Sequence, residues 1–168
     1  MKNTRKGFTL IELLVVIAII GLLSTLAVVA LNSARTRSRD SKRVADIRQI
    51  QTALELAFGD NGGYPNSTSG DTDGVGSDGS AVLGSSTTSV LCAVGGSSAW
   101  ATTQGGCAGG TLYMGKVPSN PTPNGTPYFY TGTSTSYQLV FKLETATGQL
   151  GSGFNCASPT GIFPGQAC

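Results

Sequence analysis

Hydrophobic and polar residues follow two different patterns along the first third of the chain. Residues 8–31 are almost continuously apolar, interrupted only by Glu12 and a few uncharged polar residues. At about 1.5 Å per residue, a helix of this length rises about 36 Å, which is enough to cross the roughly 30 Å hydrocarbon core of a bilayer. A charge inside a membrane is costly, by about 2.5 kcal/mol or more at the bilayer centre, so Glu12 is expected to have a functional partner.

Residues 32–58 are amphipathic and predict a helix that continues from the apolar segment. The apolar positions recur at spacings of three and four and form one stripe, namely Val44, Ile47, Ile50, Leu54, Ala57 and Phe58. The charged residues expected on the opposite face are Arg43, Asp46, Arg48 and Glu55. No proline interrupts residues 8–58, so we predict one continuous helix that ends at the glycine- and asparagine-rich residues 59–63.

Residues 59–168 predict a small head built from short β-strands. The segment 67–110 is rich in Gly, Ser and Thr and predicts a long surface excursion with one short element, near 81–83 or 90–94. Aromatic and β-branched residues predict a hairpin and a third strand, at 127–131, 136–144 and 161–163. Such a sheet can bury one face against the apolar stripe of the helix. The predicted fold class is therefore α+β, with a long N-terminal helix packed on a small antiparallel sheet.

The composition argues against an enzyme. The chain has no histidine, no phosphate-binding glycine motif and no nucleophile elbow, so its many serines and threonines lack a partner base. From residue 59 onward, two bases, Lys116 and Lys142, stand against five acids. This charge balance argues against a broad nucleic-acid surface on the head.

The four cysteines all follow the apolar segment. Their even number and the absence of a C-x-x-C spacing favour disulfides in an oxidising exterior over a metal site. Of the three possible connectivities, we favour pairing of sequence neighbours, which joins Cys92 to Cys107 and Cys156 to Cys168. Each bond would close a short loop and contribute about 3 kcal/mol by the loop-closure estimate.

Residues 71–79 contain alternating carboxylates and glycines and form a candidate calcium loop. The acids are Asp71, Asp73 and Asp78, but Val82 stands at the twelfth position, where an EF-hand carries a bidentate glutamate. A calcium site and a solvated acidic turn both remain open for this segment, and no other cofactor is expected.

A basic run follows the apolar segment and contains Arg35, Arg37, Arg39, Lys42 and Arg43. We predict a solvated or intersubunit face whose bases pair with acids of the same helix, at Asp40, Asp46 and Glu55. Contacts with lipid head groups or with DNA are the alternatives for such a run.

The residues Lys6-Gly7-Phe8-Thr9-Leu10-Ile11-Glu12 resemble the processing signal of type IV prepilins and type II secretion pseudopilins. The shared features are a short basic leader, here residues 1–7, a glycine before a phenylalanine, a glutamate four residues later, and a long apolar helix. Residues 60–65 also resemble the turn that follows the long helix of major pseudopilins. The chain departs from the pattern at Val29, where many members carry a proline.

The resemblance implies a role for each residue of this motif. A membrane-embedded prepilin peptidase would cut between Gly7 and Phe8 and methylate the new amine of Phe8. Glu12 would then pair with the Phe8 amine of an adjacent copy, which offsets the cost of its charge. The basic leader would remain in the cytoplasm and the head outside the cytoplasmic membrane, so that an assembly platform could build a surface filament from many copies.

Three functions are consistent with these residues. We favour a non-enzymatic, homopolymeric subunit of a type IV pilus or a pilus-like filament. One alternative is the major pseudopilin of a type II secretion or DNA-uptake system. The other, from a different class, is a membrane-tethered adhesin or binding module that does not polymerise.

Overall fold

The computed structural model describes residues 7–66, 80–85, 88–107, 109–123 and 125–168. The chain divides into two compact units, residues 1–36 and 37–168. The leader residues 1–6 and the candidate calcium ligands Asp71, Asp73 and Asp78 lie outside the described residues.

A single helix, α1, spans Leu10–Asn61, so the predicted continuous helix is confirmed. It begins after Thr9, whose backbone carbonyl accepts a hydrogen bond from the Leu13 amide at 3.3 Å. It ends before Gly62, which has a φ of 69° and donates its amide to Phe58 at 2.8 Å. Glycine adopts this left-handed conformation without a steric penalty, which explains why the helix stops at this point.

The remainder of the described chain forms two antiparallel sheets. A five-stranded sheet has the order β1-β5-β6-β7-β8 and a three-stranded sheet the order β3-β2-β4. A short 3₁₀ turn, Gln104–Cys107, lies between β3 and β4. The strands are β1 (Ala81–Leu83), β2 (Val90–Val94), β3 (Ser97–Ala101), β4 (Leu112–Met114), β5 (Tyr128–Gly132), β6 (Tyr137–Leu143), β7 (Gly153–Ser158) and β8 (Gly161–Pro164).

The structure confirms the predicted hairpin β5–β6 and the predicted strand at β8, but the expectation for residues 67–110 was wrong. That segment contributes β1, β2 and β3, not one short element. Together with β4, the strands β2 and β3 form a second sheet that the sequence pattern did not predict. The strand β7 was also missed, because Gly153-Phe154-Asn155-Cys156 shows little alternation between apolar and polar residues.

The core of the second unit lies between α1 and the inner face of the larger sheet. Ile47, Ile50 and Leu54 have no exposed surface. Opposite them, alternate residues of the hairpin are buried, namely Tyr128, Tyr130, Tyr137, Leu139, Phe141 and Leu143. The predicted stripe is therefore the packing face, although Val44 is only half-buried and Phe58 is 37% exposed. Burying each large aliphatic side chain contributes about 1.5–3 kcal/mol, so this seam is a major source of stability.

Both disulfides join sequence neighbours, as the spacing of the cysteines favoured. Cys92 in β2 is bonded to Cys107 at the end of the 3₁₀ turn. Cys156 in β7 is bonded to Cys168, beyond β8, and the Cys168 carbonyl accepts a hydrogen bond from the Gln138 side chain at 3.0 Å. The second bond therefore holds the C-terminal residues against the sheet.

Candidate functional site

The first turn of α1 contains a capping box formed by Thr9 and Glu12. The Glu12 carboxylate accepts the Thr9 backbone amide at 2.8 Å and the Thr9 hydroxyl at 2.7 Å. In return, the Thr9 hydroxyl oxygen accepts the Glu12 backbone amide at 3.4 Å. These bonds satisfy donors that a helix start leaves unpaired, and they place a carboxylate at the positive end of the helix dipole.

From the sequence, Glu12 was expected to pair with another copy, and its local partner Thr9 was not predicted. The capping box follows the pattern Thr-x-x-Glu, so the residues themselves carried the necessary information. Thr9 is therefore a further candidate functional residue, because it orients the carboxylate of Glu12.

The residues around this turn are exposed. Phe8 has 87% of its surface exposed, and a side chain built at Gly7 would meet no atom within 4 Å. Within the described residues, packing therefore gives no reason for a glycine at position 7. A largely apolar groove of about 400 Å³ lies next to the carboxylate and is lined by Phe8, Ile11, Glu12, Val15 and Val16.

The apolar side chains of α1 in the first unit are also exposed. The large ones between Phe8 and Leu31 each expose 47% to 87% of their surface. By its length and composition, α1 could cross a membrane. The hydroxyls of Ser24 and Thr25 donate to the carbonyls of Ile20 and Leu22, at 2.7 and 2.8 Å, so neither needs water as a partner. These features suit an apolar environment around this part of the helix.

The second unit contains a buried network of charged residues centred on Arg43. Arg43 and Asp40 have no exposed surface, and the Arg43 guanidinium donates to Asp40 at 2.6 Å and to Glu144 at 2.7 Å. It also donates to the Asn120 side chain at 2.8 Å and to the Pro121 carbonyl at 3.3 Å. The Arg43 side chain of α1 thus binds two segments that lie between strands of the head, at residues 120–121 and at residue 144.

The two carboxylates of this network have further donors. Asp40 accepts the backbone amides of Glu144 and Thr145 at 3.0 and 2.8 Å, and the Thr145 hydroxyl at 2.7 Å. Arg39 binds Glu144 through two parallel hydrogen bonds, at 2.7 and 2.6 Å. Two-point arginine–carboxylate pairs of this kind are directional as well as strong.

The network lowers the pKa of both carboxyl groups. The hydrogen bond from Arg39, together with Arg43, lowers the pKa of Glu144 to about 2. Burial alone would raise the pKa of Asp40, but the bonds from the backbone amide of Glu144 and from Thr145 lower it below its ordinary value. Both groups are therefore ionised at neutral pH, and their charges are matched by the two arginines.

Two of the charged residues expected on the opposite face of α1 are buried, so that expectation was wrong for Arg43 and Asp46. Asp46 accepts the Tyr128 hydroxyl at 3.0 Å, and burial raises the pKa of its carboxyl group. The other two, Arg48 and Glu55, are exposed as expected. The difference arises because Arg43 and Asp46 also have partners in the sheet and its connections, far away in the sequence.

The acids expected to pair with the basic run differ in their partners. Asp40 does pair with Arg43, three residues away. Glu55 instead accepts the Tyr64 hydroxyl at 3.1 Å and the Tyr137 hydroxyl at 3.4 Å. The burial of the Tyr64 side chain, together with the neighbouring Glu55 carboxylate, raises the pKa of Tyr64 to about 12. Glu55 therefore stabilises the aromatic side of the core, not the basic run.

The described residues contain no group of three or more His, Cys, Asp or Glu side chains that could hold a metal ion. The candidate calcium loop at residues 71–79 is outside that part of the chain. The calcium prediction therefore stays a prediction from the sequence.

Comparisons with known proteins find similarity in the N-terminal part of the chain. A family model described as the prokaryotic N-terminal methylation motif matches residues 2–28. The chain is 41% identical over 58 residues to a type IV major fimbrial protein FimA from Dichelobacter nodosus, a stretch that covers 34% of this chain and 37% of that protein.

The second group of relatives consists of secretion proteins. The chain is 38% identical over 69 residues to type II secretion system core protein G from Aeromonas hydrophila, which covers 41% of this chain and 48% of that protein. The corresponding protein from Escherichia coli K12 is 39% identical over 68 residues, covering 40% of this chain and 47% of that protein. No solved structure matches the chain significantly.

The chain spans about a third to a half of the length of these relatives. The family model covers the capping box and most of the apolar segment, and the three relatives named here are each matched over 34% to 41% of this chain. The recognised resemblance to type IV pilins and type II secretion pseudopilins is therefore supported by the N-terminal segment.

Proposed function

We propose that this chain is a structural, non-enzymatic subunit of a type IV pilus or a pilus-like filament. The observation that carries the proposal is the methylation motif at residues 2–28, which coincides with an exposed apolar helix whose first turn contains Glu12. The relatives named as fimbrial and secretion core proteins support the same class of function.

The first step of maturation is cleavage between Gly7 and Phe8. A prepilin peptidase hydrolyses this peptide bond with one water molecule, which leaves a carboxylate on Gly7 and a free amine on Phe8. A sulfonium methyl donor then transfers one methyl group to that amine. The exposure of Phe8 and the open space around Gly7 support access by an enzyme from outside the chain.

The second step is assembly through residues 8–31. The free Phe8 amine of one copy supplies the cation that pairs with Glu12 of an adjacent copy. In a low-dielectric bundle such a pair is favourable only if its geometry is good and its remaining hydrogen bonds are satisfied. The capping box supports this role, because Thr9 already holds the carboxylate with two donors.

The mature subunit is inserted in the cytoplasmic membrane with its head outside, and an assembly platform extracts it into the filament. The exposed apolar side chains of the first unit are suited to lipid before assembly and to neighbouring copies afterwards. The two disulfides support an oxidising location for the head.

The test combines N-terminal mass analysis with electron microscopy of sheared surface fractions. Wild-type filaments should contain subunits that begin at N-methylated Phe8, and Glu12→Ala should abolish filaments while leaving cleavage and membrane insertion intact. Ser24→Ala, in the same apolar segment, is the matched control and should assemble normally. Filaments built from subunits that begin at Met1 would contradict the processing step, and normal filaments from Glu12→Ala would contradict the assembly step.

A second candidate is the major pseudopilin of a type II secretion or DNA-uptake system, favoured by the relatives named core protein G. Such a subunit forms only a short polymer at native expression levels. Deleting the chain would then block secretion or uptake without removing long filaments from the cell surface. A tethered module that never polymerises would keep its surface display in Glu12→Ala and would form no filaments in the wild type.

A further inference from the structure

The described part of the first unit carries two charged side chains, and they lie far apart on α1. Glu12 is in the first turn, Arg35 is next to residue 36, where the unit ends, and residues 13–34 between them carry no charge. At about 1.5 Å per residue, the rise from Glu12 to Arg35 is about 35 Å. This length exceeds the roughly 30 Å hydrocarbon core of a bilayer by only about 5 Å. A spanning helix can therefore keep one charge at each membrane surface.

The five bases of the basic run differ in whether the fold supplies them with an acid. Arg39, Lys42 and Arg43 each interact with an acid of α1 or of the head. Arg35 and Arg37 are both exposed, and neither forms a salt bridge with another described residue. We call these two the proximal arginines, because they are the bases that follow the apolar segment most closely in the sequence.

The end of the apolar segment fixes the depth of Arg35 in a membrane. Arg35 follows Leu31, the last residue of that segment, by four residues, or about 6 Å along the helix. The head-group layer on each side of the hydrocarbon core is about 5–7 Å thick. An arginine side chain extends its charged end toward the polar layer from such a position, so the guanidinium lies at the level of the lipid phosphates.

We propose that Arg35 and Arg37 bind the phosphate groups of anionic phospholipids in the outer leaflet of the cytoplasmic membrane. A guanidinium donates two parallel hydrogen bonds to a phosphate, a geometry that suits this pair of groups better than a single point charge does. Residues two positions apart on a helix do not face each other, so each proximal arginine takes its own head group.

This binding rests on the proposed function in one respect, because it requires residues 8–31 to cross the membrane with the head outside. It does not require a filament. A pilus subunit before assembly, a pseudopilin and a tethered module would all hold anionic lipid in the same way.

Lipid fits the proximal arginines better than the other acidic partners of a basic surface. A second copy at the same depth has no acid in residues 13–34, and its Asp40 is already bound to Arg43. Affinity for nucleic acid rises with the number of phosphates that a protein neutralises, and three of the five bases in this run already interact with acids. Two bases at head-group depth instead match one or two lipid phosphates.

The experiment measures which lipids lie next to Arg35 in the full chain, reconstituted at low density in phosphatidylcholine vesicles with some phosphatidylglycerol. All four native cysteines are bonded, so Asn32→Cys supplies a single thiol for a fluorescent label. Position 32 is exposed and lies on the same side of the helix as Arg35. Quenching is compared between the two lipids, each carrying a nitroxide near the head-group end of one acyl chain.

With both arginines present, phosphatidylglycerol should quench about fivefold more strongly than phosphatidylcholine, the preference expected for one arginine near an anionic lipid. Arg35→Gln/Arg37→Gln should reduce the ratio to about one, as should 1 M salt, where the Debye length is about 3 Å. Arg48→Gln is the matched control, since it removes an exposed arginine 17 residues beyond Leu31, and it should leave the ratio unchanged. The leader is identical in every variant, and Trp100 fluorescence checks that each head is folded.

The outcomes separate lipid binding from the proposed function. A label that neither lipid quenches would show that the segment does not enter the membrane, and the membrane step of the proposed function would fail. Equal quenching by both lipids, or a preference that survives the double variant or 1 M salt, would overturn the assignment of the proximal arginines to lipid. A preference that appears only at high protein density would assign them to contacts between copies and would overturn it as well.

Discussion

Replacing Arg43 with methionine should destabilise the head by about 3 kcal/mol. The Arg43 side chain is completely buried and donates to Asp40, Glu144, Asn120 and Pro121, at distances of 2.6 to 3.3 Å. Methionine fills a similar space but offers no donor. Removing one partner of a buried ion pair costs about 3–5 kcal/mol, because the remaining charge is left without compensation.

The structure places the expected cost at the lower end of this range. After the change, Asp40 keeps three donors from Glu144 and Thr145, and Glu144 keeps both bonds from Arg39. Neither carboxylate is therefore left without a hydrogen bond. Arg43→Lys should give an intermediate loss, because an ammonium keeps the charge but cannot reach four acceptors in the planar geometry of a guanidinium.

The assay is urea unfolding of the full chain in detergent micelles, with both disulfides intact, followed by the fluorescence of the single tryptophan. Trp100 contacts the Tyr130 ring edge-on at 5.1 Å between centroids, so its signal reports packing of the head. Arg48→Met is the matched control, since Arg48 is exposed, and should change the free energy of unfolding by less than about 0.5 kcal/mol. A loss for Arg43→Met within about 1 kcal/mol of the control would refute the reasoning, because the buried network would then contribute no net stability.

Three further predictions concern other parts of the chain. The pKa of Glu144 is about 2 in the folded protein, against an ordinary value of 4.5. The unfolded state therefore binds more protons in this window, stability should fall as the pH drops from about 4.5 to about 2, and Glu144→Gln should flatten this part of the pH profile. Thr9→Val should remove the capping box and weaken the first turn by about 1 kcal/mol, seen as faster amide hydrogen exchange near Glu12 in micelles. Thr9→Ser should retain the cap, and unchanged exchange in Thr9→Val would contradict this role. Cys156→Ser/Cys168→Ser should cost about 3 kcal/mol by the loop-closure estimate and lower the Tm by roughly 10 °C, measured by near-UV circular dichroism. An unchanged Tm would show that the loop is ordered without its disulfide.

Local patterns predicted the elements whose causes lie close together in the sequence. The helix α1 could be predicted because its apolar run, its amphipathic stripe and its terminal glycines are all contiguous. The hairpin β5–β6 could be predicted because its strands alternate and are separated by a short turn. Both disulfides join cysteines that are near neighbours, so their pairing also followed from spacing.

The candidate site at the N-terminus could likewise be predicted from the sequence. The motif around Gly7, Phe8 and Glu12 is contiguous, and its resemblance to prepilin processing signals needs no tertiary information. The capping box between Thr9 and Glu12 also lies within one helical turn, so it could have been predicted from the same residues.

Only the tertiary structure decided which charged residues of α1 are buried. Helical periodicity placed Arg43 on the solvent side, because its neighbour Asp40 reveals one charge partner but not that both side chains are buried. Its partner Glu144 lies 101 residues away, and only the folding of the sheet brings that carboxylate to the helix. The second sheet likewise depends on tertiary structure, since its central strand β2 pairs with β3 on one side and with β4 on the other. The sequence by itself determined the long helix and its terminal chemistry, because these depend on neighbours along the chain. The position of each charge depended on contacts across the fold, because burial and hydrogen bonding decide whether an ionised side chain is stable inside a protein.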